Sequence, residues 1–183
     1  MLYIIRHGRT DWNDRHKLQG RTDIPLNEEG RRMADAAREE YRDVALDICW
    51  SSPLIRARET AEILLRGRGI PIFFDDRLRE MSFGKYEGIE NSFCIPGHPV
   101  NVIFQSPEQY TSSVGGAETF EELFARTGSF LREIIDPLML EGKNVLIVGH
   151  GAMNLSIISQ VRNLPIEEFW SPGIPNCKMI RLI

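Results

Sequence analysis

Apolar residues fall in short unbroken runs, and helical periods fill the intervals between them. Residues 2–5 form such a run, rich in β-formers and closed by Arg6-His7-Gly8. Runs at 46–50, 70–74 and 144–148 repeat the pattern, the last closed by Gly149-His150-Gly151, and residues 177–183 form a terminal strand. Short continuous runs of this kind predict strands buried on both faces. Asn27 before Glu28 and Glu29 predicts a capped helix to about residue 43. Ser52-Pro53 predicts a second helix start, with Ser52 as the cap and an end near Gly67. Thr119 and Glu122 have capping-box spacing and open a long helix to about residue 141. A further helix follows Gly151 to about residue 163. Strands alternating with helices imply βαβ units, hence an α/β fold with a mostly parallel central sheet and helices on both faces. Residues of about 88–117 have turn residues and no period, and read as an insertion over the sheet edge.

Length and composition narrow the class. The chain has 183 residues, 42% hydrophobic and 26% charged, which suits one globular domain spanning 1–183. A formal net charge of -4 gives no bulk attraction to nucleic acid or anionic membrane. Cys49, Cys94 and Cys177 are odd in number and widely spaced, which disfavours a disulfide framework or a structural zinc site. The apolar run before Arg6 is too short for a signal segment, and no stretch reaches the roughly 20 residues of a membrane span. The expectation is a cytoplasmic protein.

Candidate chemistry comes from a duplicated design. His7-Gly8 and His150-Gly151 each follow an apolar strand. In open α/β sheets, ligands bind beyond the carboxyl ends of the strands, so two parallel strands deliver both histidines to one rim. Arg6 adjoins His7, and Arg56 lies in the first turn of the helix after the second strand. Guanidinium forks match phosphate oxygens and stay charged at working pH, and helix N-termini add N–H donors. The combination points to a phosphate site. Arg6 and Arg56 should favour a neutral, nucleophilic His7 by repelling its proton.

These residues resemble the histidine phosphatase superfamily, the phosphoglycerate mutase-like group. The resemblance runs in order through Arg6-His7-Gly8-Arg9-Thr10, Asn13, Leu18-Gln19-Gly20, the segment 23–30, Ser51 to Ala61, Leu78 to Glu80, Phe83-Gly84, Glu87-Gly88 and Val148 to Gly151. It implies a three-layer phosphoglycerate mutase-like fold whose insertion covers the active site. It also implies roles: His7 as the phosphate-accepting nucleophile, and Arg6, Arg56 and His150 as the phosphate pocket. Glu80 is implied as proton donor to the leaving oxygen and Asn13 as an additional ligand, with Gln19, Gly20 and Gly151 on the substrate-binding side. No metal and no cofactor are expected. Ala117 departs from the family's Gly-Glu-Ser element, which leaves Glu118 between that role and pinning a loop. Tyr86 stands where the family often has Trp.

Rival hydrolases lack their signatures. No cysteine is followed by Arg at phosphatase spacing, and GxSxG and GxxxxGK[ST] are absent. His16 and His98 are isolated and read as surface or loop residues. The expected activity is hydrolysis of small-molecule phosphomonoesters. A cofactor-dependent phosphoglycerate mutase and a non-catalytic phospho-ligand module are the alternatives. Expected partners are the phosphate ester and at most a second copy of the chain in a homodimer. From Tyr86 through Ala125 there is no lysine or arginine, while Phe93, Ile95, Val100, Val102, Ile103, Phe104 and Tyr110 supply apolar surface. If that segment roofs the pocket, the leaving group should be neutral and partly apolar, unless Lys17 and Arg21 contribute from the other side.

Overall fold

The computed structural model describes residues 1–183. The chain runs β1 (Leu2–Arg6), α1 (Asp11–Asp14), α2 (Glu28–Glu40), β2 (Ile48–Ser51), α3 (Ile55–Leu64), β3 (Ile72–Phe74), α4 (Asn101–Gln105), α5 (Phe120–Phe130), α6 (Asp136–Leu140), β4 (Val145–Gly149), α7 (Gly151–Arg162) and β5 (Met179–Arg181). One five-stranded sheet has the order β3-β2-β4-β1-β5. Its first four strands are parallel, and β5 pairs antiparallel with β1.

The unbroken apolar runs have a direct cause. Successive strand residues face opposite sides of the sheet, and both sides are covered here. Leu2, Ile4, Val145 and Ile147 pack with Leu123 and Phe130 of α5 and with Leu155 and Ile158 of α7. Ile5, Leu146 and Val148 pack on the other side with Ala34 and Ala37 of α2 and with Ala57, Ala61 and Leu64 of α3. Central β4 is buried at every position. β1 lies beside β4 in register from Leu2↔Val145 to Arg6↔Gly149. The two strands therefore end together at the middle of the sheet, and His7 and His150 leave it side by side.

Several boundaries differ from the expected ones. Ser52 does not cap α3: that helix starts at Ile55, with Leu54 in the cap position and no side-chain cap bond. Pro53 disfavours helical backbone at the residue before it, and Ser52 N instead donates to Val148 O at 3.0 Å, extending the sheet pairing. The exposed first turn of α3 is satisfied from afar, by Asp23 Oδ1 accepting from Ile55 N at 2.7 Å. The long helix reaches residue 140 but is interrupted by a π-type turn at Leu131–Ile135. Pro137, just inside α6, has no N–H to donate to a regular ladder. Helix α2 stops at Glu40, three residues short. The terminal strand is confined to Met179–Arg181.

Residues 88–117 carry only α4 and short 3-10 turns. They fold partly into the core: Val100, Ile103 and Tyr110 are buried, whereas Phe93 and Ile95 are exposed. Trp170 Nε1 donates to Ile103 O at 2.8 Å and ties this segment to the chain after α7. No helix is long and apolar enough to cross a membrane.

Candidate active site

The site forms where β1 and β4 end. His7 N donates to Gly149 O at 2.9 Å, so the ladder holds the backbone one residue past β1. The imidazole is 2% exposed. Its Nδ1 lies 2.6 Å from Gly8 O. A carbonyl can only accept, so Nδ1 carries the proton and Nε2 presents a lone pair. Gly8 is required here: a Cβ would fall 2.4 Å from Gly30 O at the start of α2. Gly8 N in turn donates to Thr60 Oγ1 of α3 at 3.0 Å, and Asn176 Nδ2 to His7 O at 2.7 Å.

Two arginines flank the imidazole. Arg56 is fully buried on α3 and donates to Gly20 O at 2.7 Å and Thr22 O at 2.9 Å. Arg6 donates to Ile174 O at 3.0 Å. The Nε of each is buried without a protein partner. Buried donors are nearly always paired in folded proteins, and two orphaned guanidinium N–H groups beside one cavity suit an oxyanion. Burial lowers the Arg56 pKa to about 10, opposed by the nearby Glu80 carboxylate, and lowers that of Arg6. Both remain cationic at neutral pH.

His150 lies beside His7. It is completely buried, its ring centroid lies 5.2 Å from that of His7, and its Nε2 is 2.7 Å from Ser52 Oγ. It does not line the cavity, while its Nδ1 is buried and unpartnered. Ser52, read from sequence as a helix cap, thus holds the second histidine.

Glu80 reaches the N-terminus of α7. Its Oε2 accepts from Gly151 N at 2.8 Å and Ala152 N at 3.2 Å. Its Oε1 accepts from Met81 N at 2.8 Å and Met153 N at 2.9 Å. The positive end of a helix favours a carboxylate there, and these bonds fix its orientation.

The cavity has a volume of about 210 Å³. Arg6, His7, Asn13, Gln19, Gly20, Arg56, Glu80 and Gly151 all line it, so every expected site residue except His150 converges on one space. Thr10 Oγ1 lies 3.1 Å from both Asn13 Oδ1 and Gln19 Oε1, which turns both amide NH₂ groups away from Thr10. Much of the remaining lining is apolar: Leu18, Phe83, Phe104, Leu155, Trp170 and Ile174. Of the seven apolar residues named in the insertion, only Phe104 lines the cavity. Trp170 and Ile174 gave no sequence signal, since they lie in an aperiodic stretch after α7. Glu118 stands outside, bound to Arg126 at 2.7 Å, Arg21 at 3.0 Å and Ser82 N at 3.3 Å. It pins loops, and it removes Arg21 from the cavity. No group of three or more His, Cys, Asp or Glu side chains is arranged to hold a metal ion.

The pKa of His7 lies well below its ordinary value. Burial is the larger cause, then Arg56 and Arg6, opposed by the Gly8 carbonyl. That of His150 is lowered as well, by burial first and then by Arg56, His7 and Arg6. Both rings are neutral at pH 7. A histidine with a depressed folded pKa takes up its proton more readily when unfolded. The stability tied to it is complete above about pH 6.5 and is lost as pH falls from there toward the folded value. Acid titration of unfolding should show this loss beginning near pH 6.5, less steeply in His7→Asn. The acid limb of kcat/KM should lie well below pH 6.5; a limb at 6.5 would contradict the buried neutral imidazole.

Comparison with known proteins agrees. Residues 2–183 match the model of the histidine phosphatase superfamily (branch 1). The chain is 34% identical over 180 residues to the uncharacterized phosphatase PhoE of Bacillus subtilis, covering 98% of this chain and 82% of that one. It is 27% identical over 180 residues to 2,3-bisphosphoglycerate-dependent phosphoglycerate mutase 2 of Gloeobacter violaceus, covering 97% and 82%. A mycobacterial glucosyl-3-phosphoglycerate phosphatase in complex with VO3 superposes with a TM-score of 0.84 at 28% identity, covering 97% and 90%. Strand order, site geometry and full-length match together place the chain in the histidine phosphatase superfamily, as a phosphoric monoester hydrolase of that family.

Proposed function

We propose that the protein hydrolyses small-molecule phosphomonoesters through a covalent phosphohistidine on His7. The observation that carries this reading is the convergence of a tautomer-fixed His7, two guanidinium groups with orphaned Nε–H, and Glu80 on one small cavity. The charge of a bound phosphoryl group favours the protonated form of Glu80 over its carboxylate. In the first step His7 Nε2 attacks phosphorus, the bond to the ester oxygen breaks, and that oxygen takes the proton from the Glu80 carboxyl. In the second, the Glu80 carboxylate takes a proton from water as the water oxygen attacks phosphorus. The bond from phosphorus to Nε2 then breaks and inorganic phosphate leaves. Arg6 and Arg56 stabilise charge on the transferring group. Asn13, Gln19, Gly20 and the backbone at Gly151 contact substrate, and the His150 ring packs beside His7.

The apolar part of the cavity lining supports a neutral, partly apolar leaving group. The mutase reading requires a second anionic group to be held, and the residues lining the cavity offer Lys17 alone for that task beyond the two arginines. A purely binding role gives no use for a carboxyl group lining the same cavity as an unprotonated His7 Nε2. The test is turnover of p-nitrophenyl phosphate and sn-glycerol 3-phosphate without added bisphosphoglycerate. Turnover should survive EDTA within about twofold and be inhibited by vanadate, because the arginines supply the charge a metal would otherwise bring. Loss on chelation, restored by one metal, or strict dependence on a bisphosphate primer would overturn it.

A further inference from the structure

The backbone places a carboxylate beside Lys17. Residues 16–18 and 88–91 run antiparallel: Gly88 N donates to Leu18 O at 2.8 Å, Leu18 N to Ile89 O at 3.0 Å and Asn91 N to His16 O at 3.0 Å. Lys17 and Glu90 are the opposed pair of this bridge, and opposed residues of an antiparallel pair share a face. The geometry is enforced from both ends. His16 and Asn91 adopt left-handed backbone with φ of 50° and 51°. Gly88, at φ +85°, packs so closely on Trp12 that a Cβ would lie 3.1 Å from its ring. Lys17 Nζ lies 3.9 Å from Glu90 Oε2 and 5.5 Å from the centroid of the Trp12 ring. Arg15 meets the same carboxylate oxygen at 3.2 Å from the solvent side.

We propose that Glu90 is a specificity-determining residue: by pairing with Lys17 it withholds the one remaining cavity cation from any second anionic group on the leaving side. The inference rests on the phosphatase reading above. Arg6 and Arg56 are committed to the phosphoryl group and to backbone carbonyls, so discrimination by leaving-group charge falls to Lys17. A lysine held beside Glu90 offers an incoming carboxylate less net positive charge than a lone lysine does, and Glu90 itself repels it. A neutral leaving group meets no such obstacle.

The matched probes are sn-glycerol 3-phosphate and 3-phosphoglycerate, which carry a hydroxymethyl group and a carboxylate at the same position. Wild-type kcat/KM should favour the former by about tenfold or more. Glu90→Gln should shrink that ratio by about fivefold or more while turnover of glycerol 3-phosphate stays within about twofold. Lys17→Met in the Glu90→Gln background should abolish the gain, because the freed cation is its source. Arg15→Gln, which leaves Lys17 as the one cation on Glu90, should not shrink the ratio. A ratio that stays at the wild-type value in Glu90→Gln, or a gain that persists without Lys17, overturns the proposal while leaving the phosphatase reading intact. Absence of wild-type turnover of p-nitrophenyl phosphate as well as of both esters sinks the phosphatase reading, and this one with it.

Discussion

Replacing His7 by alanine should remove turnover by about 10⁴-fold or more, together with all covalent phosphate on the protein. The expectation follows from its position. Nε2 is the unprotonated nitrogen of the one histidine that lines the cavity, because Nδ1 is bound to Gly8 O at 2.6 Å. Enzyme quenched during turnover of a slow substrate should carry a phosphate that is labile in acid and stable in base, as a phosphoramidate is. The label should map to the peptide containing His7. His150→Ala should also lose rate, but it should still form some labelled intermediate, since its ring does not line the cavity. Full activity in His7→Ala, or label on His150, would refute the assignment.

The second large effect concerns Glu80. Glu80→Gln should slow hydrolysis of alkyl phosphates such as glycerol 3-phosphate by about 10²- to 10³-fold. It should slow p-nitrophenyl phosphate by less than about tenfold, because p-nitrophenolate needs little protonation to depart. Glu80 also has a structural task, since four backbone N–H groups of Met81, Gly151, Ala152 and Met153 converge on its two oxygens. A glutamine supplies one acceptor and turns an NH₂ toward donors, so some thermal stability should be lost as well. A general loss of folding would lower both substrates alike. The dependence on the leaving group isolates the proton transfer, and an equal drop for both would contradict it.

How much of this was legible in the sequence depended on whether the signal was local. The central strands were, because burial on both faces leaves no polar alternation to blur the apolar runs at 2–5 and 145–148. The histidines were legible because each directly follows such a run. The capping box at Thr119 and Glu122 was local too, and it forms as expected. Ser52 misled because Ser-Pro is a common helix start, whereas here sheet pairing with Val148 and the partner His150 override that preference. Trp170 and Ile174 reach the cavity through the packing of an irregular segment, which leaves no period to read. The pairing of Lys17 with Glu90 depends on two loops far apart in the chain, and nothing in either loop announces the other.

The register of β1 with β4 also governs when the catalytic centre can come into existence. Its two histidines belong to strands that must close nearly the whole chain into a loop before Arg6 meets Gly149. Long-range parallel pairing is slow because loop closure is costly before the contacts reward it. α2 and α3, by contrast, pack against each other from neighbouring stretches of chain. During synthesis the first strand must therefore wait for its parallel sheet partner until β4 has emerged. Recovery of activity on refolding should lag behind recovery of helical signal, which makes the enzyme its own reporter of the final folding event.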